Sequence, residues 1–206
     1  MKNKILNWVI ISLQAITLFY LLNALITQSE IMMRAAVSLI LIMFPYALIL
    51  LKRKLPLLIE FIYVVFVFLG SFLGSTIMLY SQYIWYDDLV HFISGFVIVT
   101  IGHYLFFALD SKMHTKLSPA MMAFIVFLFA ASAASIWEIV EFTIDQTIQG
   151  MSMQVDLTDT MIDLILGTLS ALIASLIGYF YAKTKKPKFL NKLIKEIKNE
   201  QNTNKL

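Results

Sequence analysis

The chain has 206 residues, 60% of them hydrophobic and only 14% charged, with a mean hydropathy of +0.81. Soluble domains carry roughly 25% charged residues, so this composition points to an integral membrane protein. Cysteine is absent, which excludes disulfide scaffolds and thiolate sites, and the net charge of +3 lies in short basic clusters between apolar runs, so no nucleic-acid-binding face is expected.

Apolar runs long enough to cross a hydrocarbon core of about 30 Å occur at residues 5–27, 31–51, 55–80, 88–109, 118–143 and 159–182. The expected fold class is therefore all-α, a polytopic membrane helix bundle of about six transmembrane helices. The first run starts with Lys2 and Lys4, yet it is too long for a cleavable signal and lacks a small-x-small site, so it reads as a retained helix. The second carries Arg34 just inside. "GSFLG" (70–74) in the third and "AASAAS" (130–135) in the fifth supply small residues for close helix packing. Gln14, Asn23, Thr100, His103, Ser132 and Ser135 read as interhelical hydrogen-bonders.

Lys and Arg fall in alternate loops: Lys2 and Lys4, "KRK" at 52–54, Lys112 and Lys116, and "KTKKPK" at 183–188. The intervening loops have none. Cytoplasmic loops are enriched in these residues, so both termini are expected in the cytoplasm. Residues 1–182 form the expected transmembrane bundle and 183–206 a basic cytoplasmic tail. Within the tail, Phe189, Leu190, Leu193, Ile194 and Ile197 recur at helical spacing among Lys188, Lys192, Lys195 and Lys198, a pattern suited to anionic inner-leaflet lipids. Residues 199–206 read as disordered.

The acids are distributed unevenly. Asp87, Asp88, Glu138, Glu141, Asp145, Asp156, Asp159 and Asp163 all fall at the expected outer ends of the last three spans or in the loop between two of them, with no Lys or Arg from 117 to 182. "WYDDLVHFISGF" (85–96) puts Asp87 and Asp88 four and three residues before His91, so either shares a helical face with the imidazole. "WEIVEFTID" aligns Glu138, Glu141 and Asp145 along one stripe, and "DTMIDLILG" aligns Asp159, Asp163 and Gly167. Asp87 also reads as a helix N-cap, and "LTDT" (157–160) as a helix start that makes Asp159 a cap. For Glu138 and Glu141, near a helix C-terminus where negative charge is disfavoured, capping offers no explanation.

Ionisable residues in a bilayer are costly and normally face an interior or wet site with a partner. Carboxylates this crowded either hold protons or recruit a cation, and oxygen ligands with one imidazole suit Zn²⁺, Mn²⁺, Fe²⁺ or Mg²⁺. The expected ligands of one divalent metal or a pair are Asp88, His91, Glu138, Glu141, Asp159 and Asp163, with Glu141 also placed as general base. The loop 145–157, apolar and containing Gly150, reads as a lid over this site or as an interfacial connector.

The motifs "YDDLVHFISG", "WEIVEF" and "DTMIDLILGTLSA" resemble those of the YjdF-like uncharacterised bacterial membrane proteins. More distantly, the D-x-x-H-F opening and the D-x-x-x-D-x-x-x-G helix are similar to the VanZ-like membrane family associated with teicoplanin resistance. The resemblance spans residues 55–182. It implies a multi-pass protein of the bacterial cell membrane, with Asp88, His91, Glu138, Glu141, Asp159 and Asp163 at the marked positions, and supplies no reaction. Three roles fit: metal-assisted chemistry on a lipid or lipid-linked headgroup, a non-catalytic envelope or accessory protein with a structural polar cluster, and cation or proton transport.

Overall fold

A computed structural model describes residues 2–29, 31–52, 55–113, 117–148 and 153–184. The described residues are all-helical, with five helices long and apolar enough to span a membrane, or six when one bent pair counts as a single span. The chain is a multi-pass membrane protein. Large apolar side chains such as Ile26, Leu50, Ile139 and Phe180 are exposed along these helices, as expected where the surrounding solvent is lipid and backbone polar groups must be satisfied within each helix. The cationic tail segment at 188–198 and the end at 199–206 lie outside the described residues, as do Arg53, Lys54 and Lys116.

The chain divides into two compact units with the boundary between Tyr86 and Asp87. In the first unit, α1 (Lys2–Thr27) packs with α2 (Met32–Ile42) and α4 (Leu57–Val67) around a core of Ile10, Ile42 and Val64. The second apolar run is not one straight helix. It bends by 48° between α2 and α3 (Phe44–Leu50). Pro45, in the first turn of α3, has no N–H to give the carbonyl of Leu41, and its ring collides with that carbonyl in a straight helix. The Leu41 oxygen, which also accepts a backbone N–H at the end of α2, takes the Tyr63 hydroxyl at 2.7 Å, and the neighbouring Ile42 carbonyl accepts from Gln14 Nε2 at 3.5 Å.

The third run also departs from a uniform α-helix. After α4 the chain widens into a π-helix, Phe68–Thr76, covering all of "GSFLG". It closes with the Ile77 N–H on the Phe72 carbonyl, five residues back, and Met78 takes a positive φ of 67° before the short α5 (Leu79–Gln82). Polar contacts concentrate on this irregular stretch. The Ser38 hydroxyl bonds those of Ser71 (2.8 Å) and Thr76 (3.0 Å), the Tyr86 hydroxyl donates to the Leu69 carbonyl, and Arg34 Nη1 donates to the Ser75 carbonyl at 3.4 Å.

The second unit is built from long regular helices: α6 (Trp85–Met113) from its first residues onward, α7 (Pro119–Thr147) and α8 (Leu157–Thr184). Ser118 caps α7 by accepting the Met121 N–H, and Pro119 occupies the first turn, where a missing donor costs nothing. Small residues set the spacing. A Cβ on Gly95 would run into Ser170 Oγ and lie 2.6 Å from the Gly167 carbonyl oxygen, while one on Gly167 would lie 3.3 Å from Ala134 Cβ. Val99, Val126, Ala130 and Ala171 form the buried core alongside. Of the residues expected to bond between helices, Gln14 does so, whereas Thr100, His103 and Ser135 turn back to carbonyls four residues earlier in their own helix, the local alternative open to short polar side chains and imidazole.

Candidate metal centre

One end of the second unit collects all of its acids but Asp110. Near the start of α6, Asp87 and Asp88 stand in the first turn, where the exposed N–H groups favour negative charge. Asp87 precedes His91 by four residues and Gly95 by eight, on the stripe that turns inward. Asp88 is rotated about 100° from it. On α7 Glu138 and Glu141 are buried, and on α8 Asp163 is buried one turn below Asp159.

These residues form two overlapping sets. Asp87, His91 and Asp163 each present a ligand atom within 4.8 Å of the others, and so do His91, Glu138 and Glu141. His91 belongs to both. Its Nε2 is 3.5 Å from Asp87 Oδ1 and its Nδ1 is 3.7 Å from Glu138 Oε1, both longer than the roughly 2.7–3.2 Å of an ordinary N–H···O bond. Glu141 Oε1 accepts from the Trp137 indole at 2.8 Å, and Glu138 Oε2 accepts from Gln154 Nε2 at 3.2 Å. The remaining Glu138 oxygen, Oε1, and Asp163 Oδ1 are buried without a hydrogen-bond partner. Glu138 is 5% and Asp163 2% exposed, and polar atoms buried to this degree ordinarily have a partner.

The arrangement differs from the sequence reading in three respects. Asp87 joins the cluster and Asp88 is in neither set; both spacings to His91 are helical and both residues are half-buried, and only the direction in which each carboxylate points across to α8 chooses between them. Asp159 is also in neither set: its Oδ2 accepts the Val155 N–H at 3.1 Å, beside the helix cap. The cap itself is Asp156, whose Oδ1 accepts the N–H groups of Asp159 and Thr158, and these bonds hold its carboxyl below the usual range. Finally, α7 continues to Thr147, so Glu138 and Glu141 sit about 2.5 and 1.7 turns inside the helix. Dipole repulsion fades beyond the last turn; burial is what sets these two acids apart.

The connection after α7 is tied to the site on both sides of residues 149–152, which lie outside the described residues together with Gly150. Asp145, expected on the acidic stripe, instead accepts the backbone N–H groups of Met153 and Gln154 through both carboxylate oxygens. That latch brings the Gln154 amide to Glu138. Between α7 and α8 it leaves an open groove of about 640 Å³ with apolar walls from Ile139, Phe142, Leu157 and Leu164, and Glu138 among its lining residues. Gln154 had no sequence signal, because its partner lies sixteen residues away across a loop. Trp137 did have one, the i, i+4 spacing to Glu141.

The family described as "Predicted membrane protein (DUF2238)" matches residues 5–184. An uncharacterised protein of Thermotoga maritima is 32% identical over 113 residues, 55% of this chain and 57% of the relative, so the chain spans a little over half the length of that protein. No solved structure matches.

Proposed function

The chain belongs to this family of predicted membrane proteins, and from that premise we propose that its second unit holds divalent metal at the two sets that share His91, the one with Asp87 and Asp163 or the one with Glu138 and Glu141, for chemistry on a lipid or lipid-linked headgroup. The observation that carries the reading is the pair of buried carboxylate oxygens, Glu138 Oε1 and Asp163 Oδ1, left without a partner. Uncompensated buried charge costs several kcal/mol. Among the described residues no Lys or Arg pairs with these acids, and only His91 approaches them as a base.

Ligand chemistry supports a cation over a hydrogen-bonded cluster. In a tetrahedral site with metal–ligand bonds of about 2.1 Å, neighbouring donor atoms stand about 3.4 Å apart. The His91 to Asp87 and His91 to Glu138 separations, 3.5 and 3.7 Å, lie near that value. One imidazole among carboxylates suits Zn²⁺, Mn²⁺ or Fe²⁺ better than Ca²⁺. The Trp137 indole orients Glu141 and the Gln154 amide orients Glu138, the outer support that metal ligands commonly need.

Under the Lys and Arg distribution the acidic end of the unit faces outward, at the depth where headgroups meet water. There a metal would polarise a phosphoryl or carbonyl oxygen and Glu141 would take the proton of an attacking water. The groove beside Glu138, apolar along its walls, offers an approach from the bilayer. A purely structural ion is less favoured, because Gly95, Gly167 and Ala134 already allow close helix contact. The relationship to the YjdF-like and VanZ-like proteins seen in the motifs accords with a place in the bacterial cell membrane.

The test is metal analysis of detergent-purified protein, with wild type and Glu141→Gln then incubated with a bacterial lipid extract and released headgroups followed by mass spectrometry. Bound metal with headgroup release that fails in Glu141→Gln is the expected result. Protein that retains no metal from a Zn²⁺- or Mn²⁺-containing buffer overturns the site; metal without headgroup release overturns the chemistry.

A further inference from the structure

We propose that the centre takes two divalent cations, one on each side of the His91 ring, with the imidazole bridging them. This rests on the metal-binding reading above and fixes its stoichiometry. The two ring nitrogens point to different acids: Nε2 faces Asp87 and Nδ1 faces Glu138. Each acid belongs to its own three-residue set, and the sets have only His91 in common. A single ion on one nitrogen would leave the other nitrogen an N–H to donate. The second carboxylate would then be expected at hydrogen-bond distance, yet both separations exceed that range and neither nitrogen is favoured over the other.

The unpartnered oxygens are divided in the same way. Glu138, whose Oε1 is unpartnered, belongs to the set on α6 and α7, and Asp163, whose Oδ1 is unpartnered, to the set on α6 and α8. Both residues are more than nine-tenths buried, so one ion bound by a single set leaves the other oxygen stranded. Charge gives the same answer. The sets contain four carboxylates, Asp87, Glu138, Glu141 and Asp163; one dication leaves two negative charges buried, whereas two dications with a bridging imidazolate leave one.

The bridge requires a proton to leave. A neutral imidazole has one nitrogen lone pair, which binds the first cation; the second takes the pair released when the remaining ring N–H gives its proton to water. Nothing is oxidised or reduced. Cations that bind imidazole strongly, Zn²⁺ and Cu²⁺, should therefore fill both sides, while Mg²⁺, which prefers oxygen donors, should not displace them.

The experiment loads the full chain in detergent with Zn²⁺, removes loose metal by gel filtration, and counts ions per chain. Two Zn²⁺ per wild-type chain are expected, falling to one in Asp163→Asn and to one in Glu138→Gln. A wild-type count of one overturns the bridge and leaves the metal site standing; a count of zero overturns both. Loading with Cu²⁺ gives a readout that needs no variant. Two bridged Cu²⁺ ions are exchange-coupled and lose the isolated-ion paramagnetic resonance spectrum, and two ions with uncoupled spectra overturn the bridge. Size-exclusion profiles and helix content check folding of each variant, and if both variants misfold the wild-type count and spectrum still decide.

Discussion

The two units of this chain solve the same problem, polar groups within apolar helices, in opposite ways. In the first unit the backbone is irregular, with a proline bend and a π-helix, and neutral donors meet the exposed carbonyls: Tyr63 on Leu41, Gln14 on Ile42, Tyr86 on Leu69. In the second unit the backbone is regular and the difficulty sits in the side chains, where buried carboxylates keep unmatched oxygens. The irregular backbone of the first unit is met by donors from its own side chains, whereas the second unit keeps buried carboxylate oxygens that a cation could meet, and that contrast is why the second unit is the place to look for chemistry.

The strongest way to break the comparison is through helix spacing. Gly95→Ala drives a methyl group into the backbone of α8, and overpacking against backbone should cost about 3 kcal/mol, seen as loss of the monodisperse species or a much lower Tm. Gly74→Ala in the first unit also meets a close neighbour, but that neighbour is the edge of the Tyr80 ring, so its Tm should fall less. Equal losses would mean that side-chain and backbone obstruction are equivalent here.

Chelation comes next. An ion present at a hundredfold its Kd stabilises the folded state by about 2.7 kcal/mol. Chelator should therefore lower the Tm of wild type, and lower it less in Glu138→Gln, which loses one set of ligands, while Ser38→Ala in the first unit should retain the full chelator response. The metal-dependent increment should shrink as pH falls, because the ligands must be deprotonated to bind.

Neutral repairs should matter less. Tyr63→Phe leaves the Leu41 carbonyl without its side-chain donor, and Ser38→Ala removes a hydroxyl shared with Ser71 and Thr76. Each should cost about 1–2 kcal/mol in thermal or denaturant unfolding, with metal content unchanged. The smallest energetic effect is expected for Pro45→Ala, where the restored N–H competes with Tyr63 for the same carbonyl. Its readout is geometric. Because the chain has no cysteine of its own, spin labels attached through the paired substitutions Met33→Cys and Leu50→Cys report the distance across the 48° bend, which should lengthen in the alanine variant.

Much of the candidate centre was legible before any coordinates. The face shared by an acid and His91, the Glu138 and Glu141 pair, and Asp163 one turn below a helix start all follow from a period of 3.6 residues. Less legible was which of two adjacent aspartates turns inward, since Asp87 and Asp88 both satisfy helical spacing to His91 and differ only in what the helix packs against. Asp145 and Asp159 show the same limit: both looked like part of the cluster, and both instead serve backbone N–H groups of the connection between α7 and α8. Local spacing cannot anticipate a bond to a loop that returns from elsewhere.

By itself the sequence determined that this is an all-helical membrane protein with about six spans, since length and apolarity alone meet the bilayer's demand that every backbone group be satisfied within a helix. It also determined that acids gather on the last three spans without cations beside them. Only the tertiary structure decided where the spans break and which acids share His91. Both outcomes depend on contacts distant in sequence: a tyrosine supplying a donor to the carbonyl that a proline cannot serve, and glycines that let helices approach until some carboxylates are enclosed and others are left to the loops.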